Sequence, residues 1–168
     1  NTHFFANSKF NLASKFFDES VIDLKIEKVS NDDYISLYSL ANSSPIIKNT
    51  SVLENIVEFS GSRSDFNLDL SFESYETFNK ATSDRYEFVY PNYSLSKTKY
   101  FEKGLFDNFE FTSSGNNKKY STNISETVQV NDFLLSGKNK ISKLGVNHNF
   151  KSILKNVNSD GENSSKFK

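Results

Sequence analysis

The chain has 168 residues, with 20 Lys and Arg against 21 Asp and Glu, and no Cys. That length suits one ordinary domain. The formal charge of -1 gives no basic excess for nucleic acid, and the lack of Cys leaves no disulfide framework and no thiolate metal site. Hydrophobic content is 36% and mean hydropathy -0.58, low for a large dry core, yet 17 Phe and 8 Tyr argue against disorder. The chain begins at Asn1, contains no Met and ends at Lys168 in a polar run. It reads as an internal segment of a longer protein, a processed mature chain being the alternative.

Taken in order, Phe4 to Ala13 is a weak strand candidate, with Phe10 and Leu12 in one register. Val21 to Val29 is clearer, because Ile22, Leu24 and Ile26 alternate with Asp23, Lys25 and Glu27. Ser30-Asn31-Asp32-Asp33 predicts a turn. Tyr34 to Leu40 then resumes as a strand, with Tyr34, Ser36, Tyr38 and Leu40 on one side, and Ala41 to Pro45 is the next break. Ser51 to Phe59 alternates less cleanly, and Gly61-Ser62-Arg63-Ser64 reads as a tight connection.

The clearest element follows, Asp65 to Tyr75. Phe66, Leu68, Leu70 and Phe72 fall on one side and Asn67, Asp69, Ser71 and Glu73 on the other. Successive strand side chains point to opposite faces, so this is a strand with one apolar and one polar face. Ala81 to Asp84 separates it from Tyr86 to Tyr100, where Pro91 implies an edge, a bulge or a break. Leu105 to Thr112 is the next strand, Gly115-Asn116-Asn117 a turn, and Tyr120 to Val130 a further strand. Ser136-Gly137-Lys138-Asn139 predicts another turn and Leu144 to Leu154 the last strand, with a loop from Asn156 to Ser165.

Strands therefore recur at short intervals with no room for parallel crossovers. The expected fold is all-β, an antiparallel meander of roughly eight to ten strands without a helix of three turns.

No catalytic constellation is visible. His3 and His148 are far apart, and no HxH, HExxH, GxSxG, GxGxxG or P-loop pattern occurs. Asp32-Asp33 reads as a turn pair and His148 as a strand residue. No cofactor is implied, and the chain is expected not to be an enzyme.

Alternation alone fits a soluble surface β-sandwich that binds a partner, a general outer-membrane porin, or another membrane barrel. No run approaches the ~18 apolar residues of a spanning helix, so a membrane role requires a barrel. Several strands approach the ~9–11 residues of a transmembrane β-strand. Tyr34, Tyr75, Phe78, Tyr86, Tyr90, Tyr100, Phe101 and Phe106 gather near strand ends, where interfacial girdles stand. In a barrel, Ile22, Leu24, Ile26, Phe66, Leu68, Leu70 and Phe72 would face lipid. Asp23, Lys25, Glu27, Asn67, Asp69, Ser71 and Glu73 would face the lumen.

Three stretches carry a resemblance. NDDYISLYSL, from Asn31 to Leu40, resembles a strand start in the barrel of the lipopolysaccharide-assembly outer-membrane protein family (LptD, organic solvent tolerance protein). YEFVYPNYSLSKTKY, from Tyr86 to Tyr100, is similar to the family's segment in which a Pro precedes an aromatic strand. The run from Phe106 to Leu135 is similar in layout: a strand, a polar turn with paired basic residues, then a strand. The match is a pattern of strands and spacings over most of these residues but a minority of a full-length member. It implies part of a very large transmembrane barrel in the outer membrane of a Gram-negative bacterium, an open curved sheet when taken as a segment. The implied work is non-enzymatic transport of lipopolysaccharide, with a plug lipoprotein and periplasmic bridge proteins as partners. A lateral opening between the first and last strands of the whole barrel would lie outside this mid-wall piece.

Overall fold

The computed structural model describes residues 2–40, 49–120 and 124–162. It is an all-β meander. Eight strands form one sheet in sequence order: β1 (His3–Asn11), β2 (Glu19–Val29), β3 (Val52–Arg63), β4 (Phe66–Thr77), β5 (Tyr86–Tyr100), β6 (Phe106–Tyr120), β7 (Ser125–Gly137) and, after the two-residue strands β8 (Lys140–Ile141) and β9 (Asn147–His148), β10 (Lys151–Glu162). Every neighbouring pair is antiparallel. The sheet is open: β1 and β10 are its edges and do not pair with each other. Among the described residues no second sheet packs across either face of it, because β8 and β9 pair only with each other. Among the described residues α1 (Tyr34–Leu37) and α2 (Thr82–Arg85) are single helical turns.

Burial follows from a single layer. Only Ile35, Leu53, Phe78 and Val89 are buried apolar side chains among the described residues. Ile35, Leu53 and Phe78 form one cluster with Phe5, Val29 and Leu40 against it, at the sheet end where β2 and β3 separate. The β2–β3 ladder runs only to Lys25 opposite Ile56. Beyond it the Glu27 N–H donates to Asn55 Oδ1 at 3.0 Å, and the Glu54 N–H donates to Glu27 Oε2 at 2.8 Å. Side-chain oxygens thus take backbone donors that an open ladder would leave unpaired.

Several expected boundaries are corrected. Tyr34 to Leu40 is not a strand. Leu37 N–H bonds Asp33 O at 2.8 Å and Tyr38 N–H bonds Tyr34 O at 3.2 Å, making one turn of helix. Tyr34 and Tyr38, four apart, share a face in both a strand and a helix, and their rings stand 4.8 Å apart. Gly61 to Arg63 belong to β3, and the hairpin turn is Ser64-Asp65 alone. A Cβ on Gly61 would stand 2.8 Å from ring carbons of Phe17, so this glycine makes room for a ring instead of a turn. Gly115-Asn116-Asn117 likewise lies inside β6, where the Tyr93 ring covers Gly115. The basic pair Lys118-Lys119 is therefore strand, not turn.

At the far end, Gly137 ends β7, so the connection starts at Lys138. Leu144 to Leu154 is not one strand: Gly145 turns at φ +78° and β10 begins only at Lys151. Asn156 to Glu162, expected as loop, continue β10 in ladder with Asn131 down to Ser125 of β7. The Asn131 side-chain amide donates to Asn156 Oδ1 at 3.3 Å, and the Asn158 amide donates to the same oxygen at 2.8 Å. The Ala41–Pro45 break and the last residues of the expected tail loop lie outside the described residues. Pro91 sits where the β4–β5 and β5–β6 registers shift, opposite Phe72, in keeping with a bulge.

Candidate functional site

The sheet's two faces differ, and the register across the strands allows both to be followed. One unbroken row reads Phe10, Ile22, Phe59, Leu70, Tyr93, Gly115, Gln129 and Asn158 across the eight strands. Nearer the β3–β4 turn, a parallel row on the same face reads Arg63, Phe66, Lys97, Phe111, Phe133 and Leu154. The apolar residues of this face do not follow one row. On β2 they are Ile22, Leu24 and Ile26. On β4 they are Phe66, Leu68, Leu70 and Phe72. On β6 and β7 they are Phe109, Phe111, Phe133 and Leu135.

On β2, β4, β6 and β7 their centre moves toward the β3–β4 turn end as the strands advance, while β5, with Tyr86, Phe88, Tyr93 and Leu95 on this face, does not follow. Leu24 stands in the row of Phe72, whereas Phe133 stands in the row of Phe66 and Leu135 lies beyond it. The drift is about seven residues over five strand steps, or roughly 1.4 residues per strand. At ~3.3 Å per residue and ~4.8 Å between strands, the band crosses the strand perpendicular at about 44°. Barrel strands tilt by ~35–45° from the barrel axis, so a level band on a barrel is expected to drift by this amount.

The opposite face is hollowed and mostly polar. A hollow of about 370 Å³ is lined by Glu58, Asp69, Ser71, Asn92, Ser94, Ser114 and Asn116, with Val128 and Val130 at one side. A second, of about 360 Å³, is lined by Glu73, Tyr75, Glu87, Val89, Asn92, Asn116 and Lys118. Asn67 and Asp69 line a third hollow with Glu19, Val21 and Ser60. Glu73 is held between neighbours: Ser71 Oγ donates to Oε1 at 2.5 Å, Tyr75 Oη to Oε2 at 2.6 Å, and Asn92 Nδ2 to Oε1 at 3.2 Å. Such a network fixes the orientation of the carboxylate.

The sequence-predicted residues therefore fall as follows. Phe66, Leu68 and Leu70 are half-buried beside their neighbours in the band, and Phe72 is 49% exposed. Asn67 and Asp69 are exposed on the hollowed face. Asp23 pairs with Lys9 at 3.4 Å. Lys25 lies 3.1 Å from Glu27 and 2.7 Å from Glu54. Glu27, only 4% exposed, lines none of these hollows but sits in the split between β2 and β3. His3 lies in β1 and His148 in β9, and among the described residues no group of three acidic, His or Cys side chains could hold a metal. Phe133 and Leu135 are band residues that the sequence reading missed. Their signal was a change of phase within β7, from Val128 and Val130 on the hollowed face to Phe133 and Leu135 on the other, across Asn131-Asp132.

Comparison with protein-family models, with curated proteins and with solved structures finds no match to this chain. Among the described residues no helix is long and apolar enough to cross a membrane, which leaves open a β-barrel.

Proposed function

We propose that the chain is a piece of the wall of a large outer-membrane β-barrel that carries lipopolysaccharide to the cell surface without enzymatic chemistry. The observation that carries the barrel reading is the drift of the apolar band across the sheet. A straight sandwich face has no reason to slant by the tilt of a barrel, whereas a level hydrocarbon layer meeting tilted strands requires it. The seven strands from β2 to β7 and β10 are 11 to 15 residues long, enough to cross with turns standing clear of the lipid.

The choice of cargo rests on the resemblance of the Tyr86–Tyr100 strand and of the strand–connection–strand layout from Phe106 to Leu135; the Asn31–Leu40 stretch, a helical turn, and Lys118-Lys119, inside β6, do not support it. It also agrees with the physics of the two faces. A sugar and phosphate headgroup needs a hydrated polar wall, which Asp69, Ser71, Glu73, Asn92, Ser94 and Asn116 would supply. On this reading the plug lipoprotein and the periplasmic bridge proteins are the partners and the outer membrane the location.

The test is depletion of the full-length protein in its own cells. Newly made lipopolysaccharide should stop reaching the surface while small-solute permeability through porins is unchanged. Normal delivery, combined with ion conductance of the purified chain in a planar bilayer, would replace this reading with a diffusion channel.

A further inference from the structure

Three cations at one end of the band-bearing face each lie over an aromatic ring. The Arg63 guanidinium carbon is 4.9 Å from the Phe16 centroid, Lys97 Nζ is 5.7 Å from that of Phe66, and Lys99 Nζ is 5.8 Å from that of Phe101. Arg63 and Lys97 share one row, and Lys99 stands two residues farther from the band on β5. The rings come from different places. Phe16 belongs to the β1–β2 connection, which folds back so that Phe16 meets the Phe66 ring edge-on at 5.8 Å, while Phe101 follows β5.

Asp65 Oδ1 lies 2.7 Å from Arg63 Nε and Asp65 Oδ2 lies 3.0 Å from Lys97 Nζ, so one carboxylate is shared by two cations. Asp18, whose charge also acts on Arg63, accepts the Ser64 N–H at 3.3 Å. Among the described residues Lys99 has no carboxylate partner. We propose that Arg63, Lys97 and Lys99 form a binding surface for the phosphate headgroups of membrane lipid at one boundary of the apolar band. Aromatic rings suit the boundary between acyl chain and water, and long cationic stems lie along them while the charged heads reach the phosphates. Asp65 sets the strength, holding two of the three cations partly in reserve.

The proposal rests on the barrel reading, and its test separates the two. The full-length chain is first tested for retention in the membrane fraction after alkaline carbonate extraction; release would overturn the barrel reading and this proposal with it. The retained, detergent-purified protein is then titrated with short-chain phosphatidylglycerol, short-chain phosphatidylcholine and inorganic phosphate while its melting midpoint is followed. Phosphatidylglycerol should raise the midpoint more than phosphatidylcholine, and inorganic phosphate alone should not. Combined Arg63→Gln, Lys97→Gln and Lys99→Gln should reduce the phosphatidylglycerol shift to that of phosphatidylcholine. Asp65→Asn, which frees two cations, should enlarge it, and this arm decides if the triple variant does not fold. An unchanged phosphatidylglycerol shift in the variants that fold, or an equal response to inorganic phosphate, overturns the proposal.

Discussion

Arginine placed at two positions on β7 distinguishes a slanted band from a straight one. Gln129 lies in the same hydrogen-bonded row as Leu70, so a band running along the rows would put both at the same depth. On the slanted band, Leu70 and Phe133 lie near mid-depth, and Gln129 is four residues from Phe133 along β7. Four residues span ~13 Å of strand, or ~9.5 Å of height at a tilt of about 44°. That displacement carries Gln129 most of the way to the edge of an apolar layer ~25 Å tall. An Arg facing lipid costs ~2–4 kcal/mol at the midplane and ~0–1 kcal/mol near an interface. Leu70→Arg and Phe133→Arg should therefore each destabilise by ~2–4 kcal/mol, and Gln129→Arg by less than ~1 kcal/mol. The assay is denaturant titration of the full-length chain folded into phospholipid vesicles. Equal costs at 129 and 133 would refute the slanted band. Asp69→Arg serves as the control for the opposite face, and a cost there equal to that of Leu70→Arg would refute the assignment of faces.

Ile35 is fully buried in the cluster closing the split between β2 and β3, so Ile35→Ala should cost ~2–5 kcal/mol; limited proteolysis in the β2–β3 connection should speed up, and unchanged cleavage would contradict the packing. Gly61→Val should displace the Phe17 ring that covers it, destabilising by ~1–3 kcal/mol as overpacking does, and Phe17→Ala in the same chain should restore part of the loss. Hydrogen bonds from Arg63 and then Lys97 lower the Asp65 carboxyl from 3.8 to about 2, and those from Arg85 and the Asn79 N–H lower that of Asp32. Because both folded-state values are depressed, the stability they confer is present above the ordinary carboxyl range and fades as pH falls below it, toward about 2 for Asp65. Acid unfolding curves of Asp65→Asn and Asp32→Asn should be flatter in that window than that of the unmodified chain, and parallel curves would count against both ion pairs.

Elements with period-2 alternation were legible at once. From Phe66 to Phe72 each residue's type follows its face, so sequence and ladder agree on β4. Misreadings arose where a residue's usual role was overridden by a neighbour remote in sequence. Gly61 and Gly115 look like turns because glycine tolerates turn geometry. They sit in strands where a side chain has no room: the Phe17 ring fills that space at Gly61, and the Val128 backbone oxygen, with the Tyr93 ring beside it, fills it at Gly115. Asn156 to Glu162 look like loop because they lack apolar alternation, but a strand's ladder is made by backbone groups, and β7 supplies them. Tyr34 to Tyr38 failed for the opposite reason: a spacing of four satisfies both periods, and only the local Asp33–Leu37 hydrogen bond decides between them.

The band was harder to read than the strands because it belongs to the register and to no single strand. Within one strand a lipid-facing residue and a sandwich-core residue obey the same alternation. The difference emerges only when Leu24, Leu70 and Phe133 are set against one another through five sets of paired residues. The phase change in β7 then has a physical meaning. On that strand Gln129 and Asn131 share a face with Phe133 and Leu135; at the drift seen across β2, β4, β6 and β7, Gln129 stands toward the band's edge, where an amide can meet water, while Asn131 lies within the band and needs partners. Asn131 has them: Ser113 Oγ donates to Asn131 Oδ1 at 2.7 Å, and the Asn131 amide donates to Asn156 Oδ1 on β10 at 3.3 Å. Gln129 toward the upper edge of the slanted band and the cations Arg63 and Lys99 toward its lower edge bracket the apolar residues from both sides. That bracketing fits a wall crossing a thin apolar layer, since a sandwich core would set polar residues by strand face and not by height.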